Sequence, residues 1–492
     1  MSPMKNIFSA IFLSLVFIIS FLPISYAEGE TAKPFRELQA QLGSLVSKHP
    51  YKNTAISIVD VATGETVYSH REAVALKPAS ILKILTSLAV LDRLGADYRF
   101  ETFALAGGLN EGKVQNLYIK GGGDPSFTTE SMWVMARAIK RRGVSQIGDI
   151  VLDEGVLGAG GASAIAAGGT LSESGGQGTV LPASARRSGQ RAYEAGASAL
   201  ALNFNSIAFE VCPGQAGQPA LITPDPWEVD IKVTGAIATR AGGSSTFQLD
   251  EVSSGASGIS YRAGGHIAPN RPCAVVYRSI KDPAAYFGQT LAAFLKHVGV
   301  EVKGSIRKGL TPENAVQLYR HESKPFSFIL HDLNNYSSNF IAQQLLLALG
   351  SFSYEMGILS LENYLNRFGL NESKFHIEDA SGLSHSNRLS AHAVTRLLYE
   401  GQKYEELRAE FENSLSVPGR NGTLKSRRIS VPGATLRAKT GTLTGVSSLA
   451  GYASNRIGRK FAFTIIQNDA GSKDVAVRFE DSIVKILLGS GI

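Results

Sequence analysis

From Ile81 to Leu94 the chain is apolar at nearly every position: Ile81, Leu82, Ile84, Leu85, Leu88, Ala89, Val90, Leu91 and Leu94. A helix apolar all round is a buried helix, and Gly95 is its predicted stop. Upstream, Phe35, Leu38, Leu42 and Val46 recur at helical spacing over 34–48. Residues 55–59 and 65–68 read as two strands joined by the turn Ala62-Thr63-Gly64. The pattern predicts a strand pair feeding a core helix.

From about residue 97 to 312 the texture changes. Strand-like pieces at 114–119, 150–152, 207–211 and 274–278 alternate with glycine-rich turns. Residues 154–189 are mostly Gly, Ala and Ser, which predicts a mobile surface loop. A second Gly/Ser-rich patch covers 240–258. This block reads as an inserted domain, mainly β, with a smaller unit nested in it. Helical spacing returns at 286–298, 340–349, 355–368 and 391–401. The C-terminal part predicts strands at 435–439, 447–453 and 460–467, a hairpin turn at 455–458 and a final helix at 475–488. Residues 28–96 and 313–492 therefore form one α/β (α+β) domain around the insertion at 97–312.

Composition adds an address. Lys5, an apolar stretch over 7–24 and small residues at Ser25 and Ala27 form an export signal, with cleavage expected after Ala27. The predicted location is the periplasm or another site in the cell envelope. The chain carries a net charge of +7, dispersed without a basic stripe interleaved with aromatics. That suits an anionic envelope polymer or membrane surface better than nucleic acid. Two cysteines, Cys212 and Cys273, either pair in an oxidising compartment or stay as buried thiols.

The candidate chemistry starts in the expected first turn of the core α-helix, where Ser80 stands three residues before Lys83. On a helix the two side chains share a face. A serine needs a base to attack at neutral pH, and burial among Ile and Leu lowers a lysine's pKa toward that role. Alone, the pair is better explained by a capping serine and a lysine reaching solvent. Ser305-Ile306-Arg307-Lys308 has the same spacing in what reads as an exposed basic segment. Gly121-Gly122-Gly123-Asp124-Pro125 lacks the Lys-Ser/Thr of a phosphate loop and reads as a turn. No H-E-x-x-H or G-x-S-x-G motif is present, and neither a metal nor a cofactor is expected.

Two further motifs change the weight of the first. Ser337-Ser338-Asn339 precedes an apolar helix, and Lys439-Thr440-Gly441-Thr442 ends a strand-like run. In this order the three resemble the signature of penicillin-recognising serine acyl-transferases. The long insertion between the first two resembles the class C low-molecular-mass penicillin-binding proteins, D-alanyl-D-alanine carboxypeptidases/endopeptidases of the peptidase S13 type. The stretches Gly123-Asp124-Pro125-Ser126, Leu202–Ser206, Asp379-Ala380-Ser381-Gly382-Leu383-Ser384 and Gly422-Thr423-Leu424-Lys425 agree with that group.

The resemblance implies a transpeptidase-like, β-lactamase-like fold and peptidoglycan stem peptides and crosslinks as substrates. It also implies β-lactams as covalent inhibitors. It makes Ser80 the nucleophile and Lys83 its base, with backbone N–H groups of Ser80 and Thr442 holding the oxyanion. Ser337 would relay a proton to the leaving amine and Asn339 would bind the substrate amide. Lys439 would supply positive potential, and Thr440, Gly441 and Thr442 the substrate-binding strand. Two rivals remain open: a β-lactamase, which needs fast deacylation, and a non-catalytic cell-wall-binding protein.

Overall fold

A five-stranded antiparallel sheet forms the centre of the first domain in the computed structural model, which describes residues 35–157, 191–242, 244–255, 258–370 and 375–492. The predicted signal segment and nearly all of the Gly/Ala/Ser run lie outside the described residues. The strand order is Thr435–Leu443, Val446–Ser454, Lys460–Asn468, Thr54–Asp60, Thr66–His70. Side chains alternate across a pleated strand, and here both faces are covered. Phe461, Phe463 and Ile465 pack under the helices Arg36–Ser47 and Lys473–Gly489, while Ala462 and Ile466 face the helical core on the other side. That double burial explains why these strands read as near-continuous apolar runs.

The helix Lys83–Leu94 runs through that second core, with Ile84, Leu85, Leu88, Val90 and Leu91 all buried. Around it lie Phe326–Asn335, Asn339–Leu349, Tyr354–Arg367, Ala391–Gly401 and Glu405–Ser414. The sequence pattern placed three of these and missed Phe326–Asn335 and Glu405–Ser414. The latter buries only Leu407, Phe411 and Ser414, too few positions to announce a helix.

The inserted region is built on a second sheet, in the order Glu301–Val302, Gln146–Asp153, Lys113–Lys120, Glu101–Ala106, Val316–Glu322. Its last strand pairs Glu322 with Glu101, so the insertion closes near residue 322 and not at 312. The helices Thr129–Arg141 and Pro283–His297 pack together and share the insertion's core. Two smaller sheets make the nested unit: Ala274–Ser279, Ser206–Cys212 and Leu221–Asp225 in one, and Ile231–Gly235, Gly258–Ile267, Ala238–Thr239 and Thr246–Gly255 in the other. The Gly/Ser-rich patch at 240–258 carries a ten-residue strand. Only Leu249 and Glu251 on it are well buried, so its apolar signal is sparse. Cys212 and Cys273 form a disulfide within this unit. The Ser305–Lys308 segment is an exposed edge whose Arg307 and Lys308 pair with Asp149, Glu154 and Asp282. It has no part in the Ser80 cluster.

One ion pair closes the first domain. Glu480, fully buried on the last helix, accepts from Arg427 at 2.7 Å, Ser447 at 2.6 Å and Gln467 at 3.1 Å. Arg427 also reaches Asp481 at 2.9 Å. Burial pushes the Glu480 carboxyl up, and Arg427 opposes that push. Replacing Arg427 with Ala leaves a buried carboxylate without its cation, which costs about 3 kcal/mol. The expected outcome is a lowered thermal unfolding midpoint, read by calorimetry at pH 7.

Candidate active site

Ser80 sits in a 3-10 turn, Ala79–Leu82, that runs directly into the core helix at Lys83. The expectation was the first turn of an α-helix. The tighter turn matters, because with three residues per turn positions i and i+3 eclipse. Lys83 Nζ accordingly lies 3.0 Å from Ser80 Oγ. Ala79 holds φ +51, a left-handed conformation that costs an alanine energy. The turn is locked from outside by Gly382, where a Cβ would fall 1.9 Å from the Ala79 carbonyl oxygen.

Lys83 is fully buried and makes two other contacts, to Asn339 Oδ1 at 2.8 Å and to the Ser381 carbonyl at 2.6 Å. Both are acceptors. A neutral amine has two protons and one lone pair. It satisfies both acceptors and still has its lone pair free for the Ser80 hydroxyl. Asn339 is fixed in this orientation because its Nδ2 donates to the Tyr193 carbonyl at 3.1 Å. Desolvation lowers the Lys83 pKa to about 7, with the negative charge of Asp379 pulling the other way.

Asp379 is itself buried and accepts from the backbone N–H groups of Ser381, Gly382 and Ser384 at 2.7–2.8 Å. Neither Asp379 nor Ser381 was among the predicted site residues. The Asp379–Ser384 stretch was visible as a shared motif, but nothing local in it shows that its carboxylate faces a lysine almost 300 positions away.

Ser337 and Lys439 form a second pair, with Lys439 Nζ donating to Ser337 Oγ at 2.8 Å and to the Thr440 carbonyl at 3.0 Å. Ser337 also holds a left-handed backbone, φ +56. Lys439 is fully buried, and desolvation together with the charge of Lys83 pushes its pKa well down. Lys439 acts on Ser337 as a hydrogen-bond donor.

The strand Thr435–Leu443 carries Lys439, Thr440, Gly441 and Thr442 along the edge of the sheet. Outside its pairing with Val446–Ser454 it has, among the described residues, one bridge, Ala438 N–H to the Ser416 carbonyl, and beyond that the edge is open to them. Gly441 lets it pass against the Ser80 turn. A Cβ there would lie 2.2 Å from Ser448 Oγ and 3.0 Å from the Ser80 nitrogen. Thr442 is exposed, and the Thr440 hydroxyl donates to Thr423 Oγ1 at 2.7 Å. All eight predicted site residues therefore belong to one cluster. It offers a serine with an adjacent buried amine, a second serine–lysine pair and an open strand edge.

A profile of the D-Ala-D-Ala carboxypeptidase 3 (S13) family matches residues 38–163 and 180–488. The chain belongs to this family. It is 30% identical over 450 residues to the D-alanyl-D-alanine carboxypeptidase of Actinomadura sp. (strain R39), covering 86% of this chain and 79% of that protein. The D-alanyl-D-alanine carboxypeptidase DacB of Haemophilus influenzae is 24% identical, with 86% of this chain and 87% of DacB covered. The crystal structure of penicillin binding protein 4 (dacB) from H. influenzae superposes with a TM-score of 0.73 at 23% identity, over 90% of this chain and 97% of that one. A peptidoglycan endopeptidase from Bdellovibrio bacteriovorus superposes with a TM-score of 0.51 at 18% identity, over 88% and 92%. The S13 match breaks at 164–179, inside the Gly/Ala/Ser run.

The site makes a pH prediction. A lysine accepts a proton only when neutral, so with Lys83 as the base, acylation of Ser80 should rise as pH increases through about 7 and level off above it. Stopped-flow acylation by a chromogenic β-lactam between pH 5 and 9 measures this. A flat profile would contradict the assignment of Lys83.

Proposed function

We propose that this S13 enzyme hydrolyses D-alanyl-D-amino acid bonds of peptidoglycan stem peptides and crosslinks through an acyl-serine intermediate. The observation that carries this reading is the Lys83–Ser80 contact, whose geometry suits a neutral amine accepting a hydroxyl proton. Ser80 Oγ attacks the D-alanine carbonyl and gives its proton to Lys83. The oxyanion forms beside the Ser80 N–H and the Thr442 N–H, and such donors contribute about 3 kcal/mol each. Ser337 passes its proton to the departing amine as the C–N bond breaks and regains one from Lys439, the proton first taken by Lys83 completing the balance. Asn339 holds the substrate amide, and Thr440 and Thr442 hold the carboxylate of the leaving residue. Water then attacks the ester, releasing the acid and restoring Ser80.

Loss of a terminal D-alanine is carboxypeptidase action. Cutting a D-alanyl–diamino acid crosslink is endopeptidase action with the same residues and a different leaving group. β-Lactams present a similar acyl bond and would acylate Ser80. Export to the periplasm or envelope fits the predicted signal segment, and the Cys212–Cys273 disulfide fits an oxidising compartment.

The deciding experiment incubates the protein and a Ser80→Ala variant with crosslinked muropeptide dimers and with monomeric pentapeptides, and resolves products by mass. Dimers falling to monomers, or pentapeptides to tetrapeptides, with wild type alone, support the proposal. Penicillin should leave a lasting adduct on Ser80. Rapid release of hydrolysed penicillin would favour a β-lactamase. No product and no adduct would favour a non-catalytic binding protein.

A further inference from the structure

Thr423 stands at the open end of the cleft, outside the three motifs. It lies on the short turn Gly422–Leu424 and is exposed, yet its surroundings are fixed. Its N–H donates to Ser416 Oγ at 3.2 Å, and the Ser416 carbonyl accepts from Ala438 on the motif strand at 3.0 Å. Leu424 is buried in the core beneath the sheet, and Arg427 anchors the following residues to Glu480 and Asp481. Asn335, two residues before Ser337, binds the Ser414 carbonyl at 2.8 Å, so the same segment also braces the Ser337 loop. An exposed hydroxyl on a turn tied down this firmly is set in place, and its partner is the Thr440 hydroxyl at 2.7 Å.

Two hydroxyls at that distance share one proton and have a second left over. Whichever oxygen donates to the other, the pair presents one outward O–H with its direction restricted. Without Thr423 the Thr440 hydroxyl rotates freely and is equally able to present lone pairs, which repel an anion.

We propose that Thr423 is a positioning residue for carboxylate recognition: its hydroxyl orients that of Thr440 so that the pair donates to the carboxylate of the leaving group. This rests on the reading of Thr440 given above. It predicts a specificity effect confined to substrates that carry this carboxylate, because Thr423 touches neither Ser80 nor Lys83.

The test uses the full chain and a pair of acyl-D-alanyl thioesters, one releasing thioglycolate and the other its uncharged amide. Thr423→Val keeps the side chain's shape and removes the hydroxyl, and Thr423→Ser restores it. A hydrogen bond to a charged group is strong enough that KM for the thioglycolate ester should rise roughly tenfold in Thr423→Val. Its kcat should stay near that of wild type, the uncharged ester should be unaffected, and Thr423→Ser should recover the KM. Equal slowing of both esters, with a lowered unfolding midpoint, would mean a merely structural role and overturn the proposal. No change with either ester would also overturn it. Wild type that turns over neither ester and is not acylated by penicillin would overturn the proposed function and this inference with it.

Discussion

The removal of the Lys83 amine from water is the constraint on which the site depends. An ammonium in bulk solvent holds its proton too tightly to act as a base near neutrality. Complete burial beside the core helix weakens that hold. Such burial tolerates little error, since an unpartnered amine would destabilise the domain. Its partners are accordingly the Ser80 hydroxyl, three residues before it, and two acceptors from distant segments, Asn339 Oδ1 at the start of a helix and the Ser381 carbonyl. Asp379 opposes the desolvation and keeps the pKa from falling further.

The same contacts bind the inserted region to the catalytic one. Asn339 faces Lys83 with its oxygen and the Tyr193 carbonyl with its nitrogen. One turn and a residue further along the same helix, buried Gln344 donates to the Gly123 and Ser198 carbonyls and accepts from the Ser198 N–H. The insertion thus supplies part of the scaffold that sets an active-site amide. These two polar side chains, half-buried Asn339 and buried Gln344, fix the register between the regions, which apolar packing alone would leave free to slide.

Much of this was legible because the signals were dense. The 81–94 run, the three C-terminal strands and the final helix are marked by dense apolar segments, and their observed bounds differ from expectation by only a few residues. The three motifs pointed to Ser80, Lys83, Asn339, Ser337 and Lys439, which the fold gathers into two hydrogen-bonded groups. What escaped was of another kind. The 3-10 geometry at Ser80 depends on Gly382 packing on Ala79. Asp379 reaches Lys83 only through the tertiary fold. The end of the insertion was misplaced because Val316–Glu322 has a single well-buried side chain, Leu318, and is recognisable as a strand only through its pairing with Glu101–Ala106. Helix Glu405–Ser414 is likewise made by its neighbours more than by its own pattern.

The open edge along Lys439–Leu443 has a consequence for life in a crowded compartment. An unpaired strand edge is a template on which any extended chain can add by main-chain bonds, and folded proteins normally cover or kink theirs to escape aggregation. Here the first half is covered by Ser416, while the second half has to remain bare to receive a peptide. That half lies against the Ser80 turn at Gly441 and beside Ser337 through Lys439, so an extended chain that adds to it comes to rest next to both serines. The one stretch of the sheet left open to strand addition is thus the stretch where an added strand meets the reactive side chains.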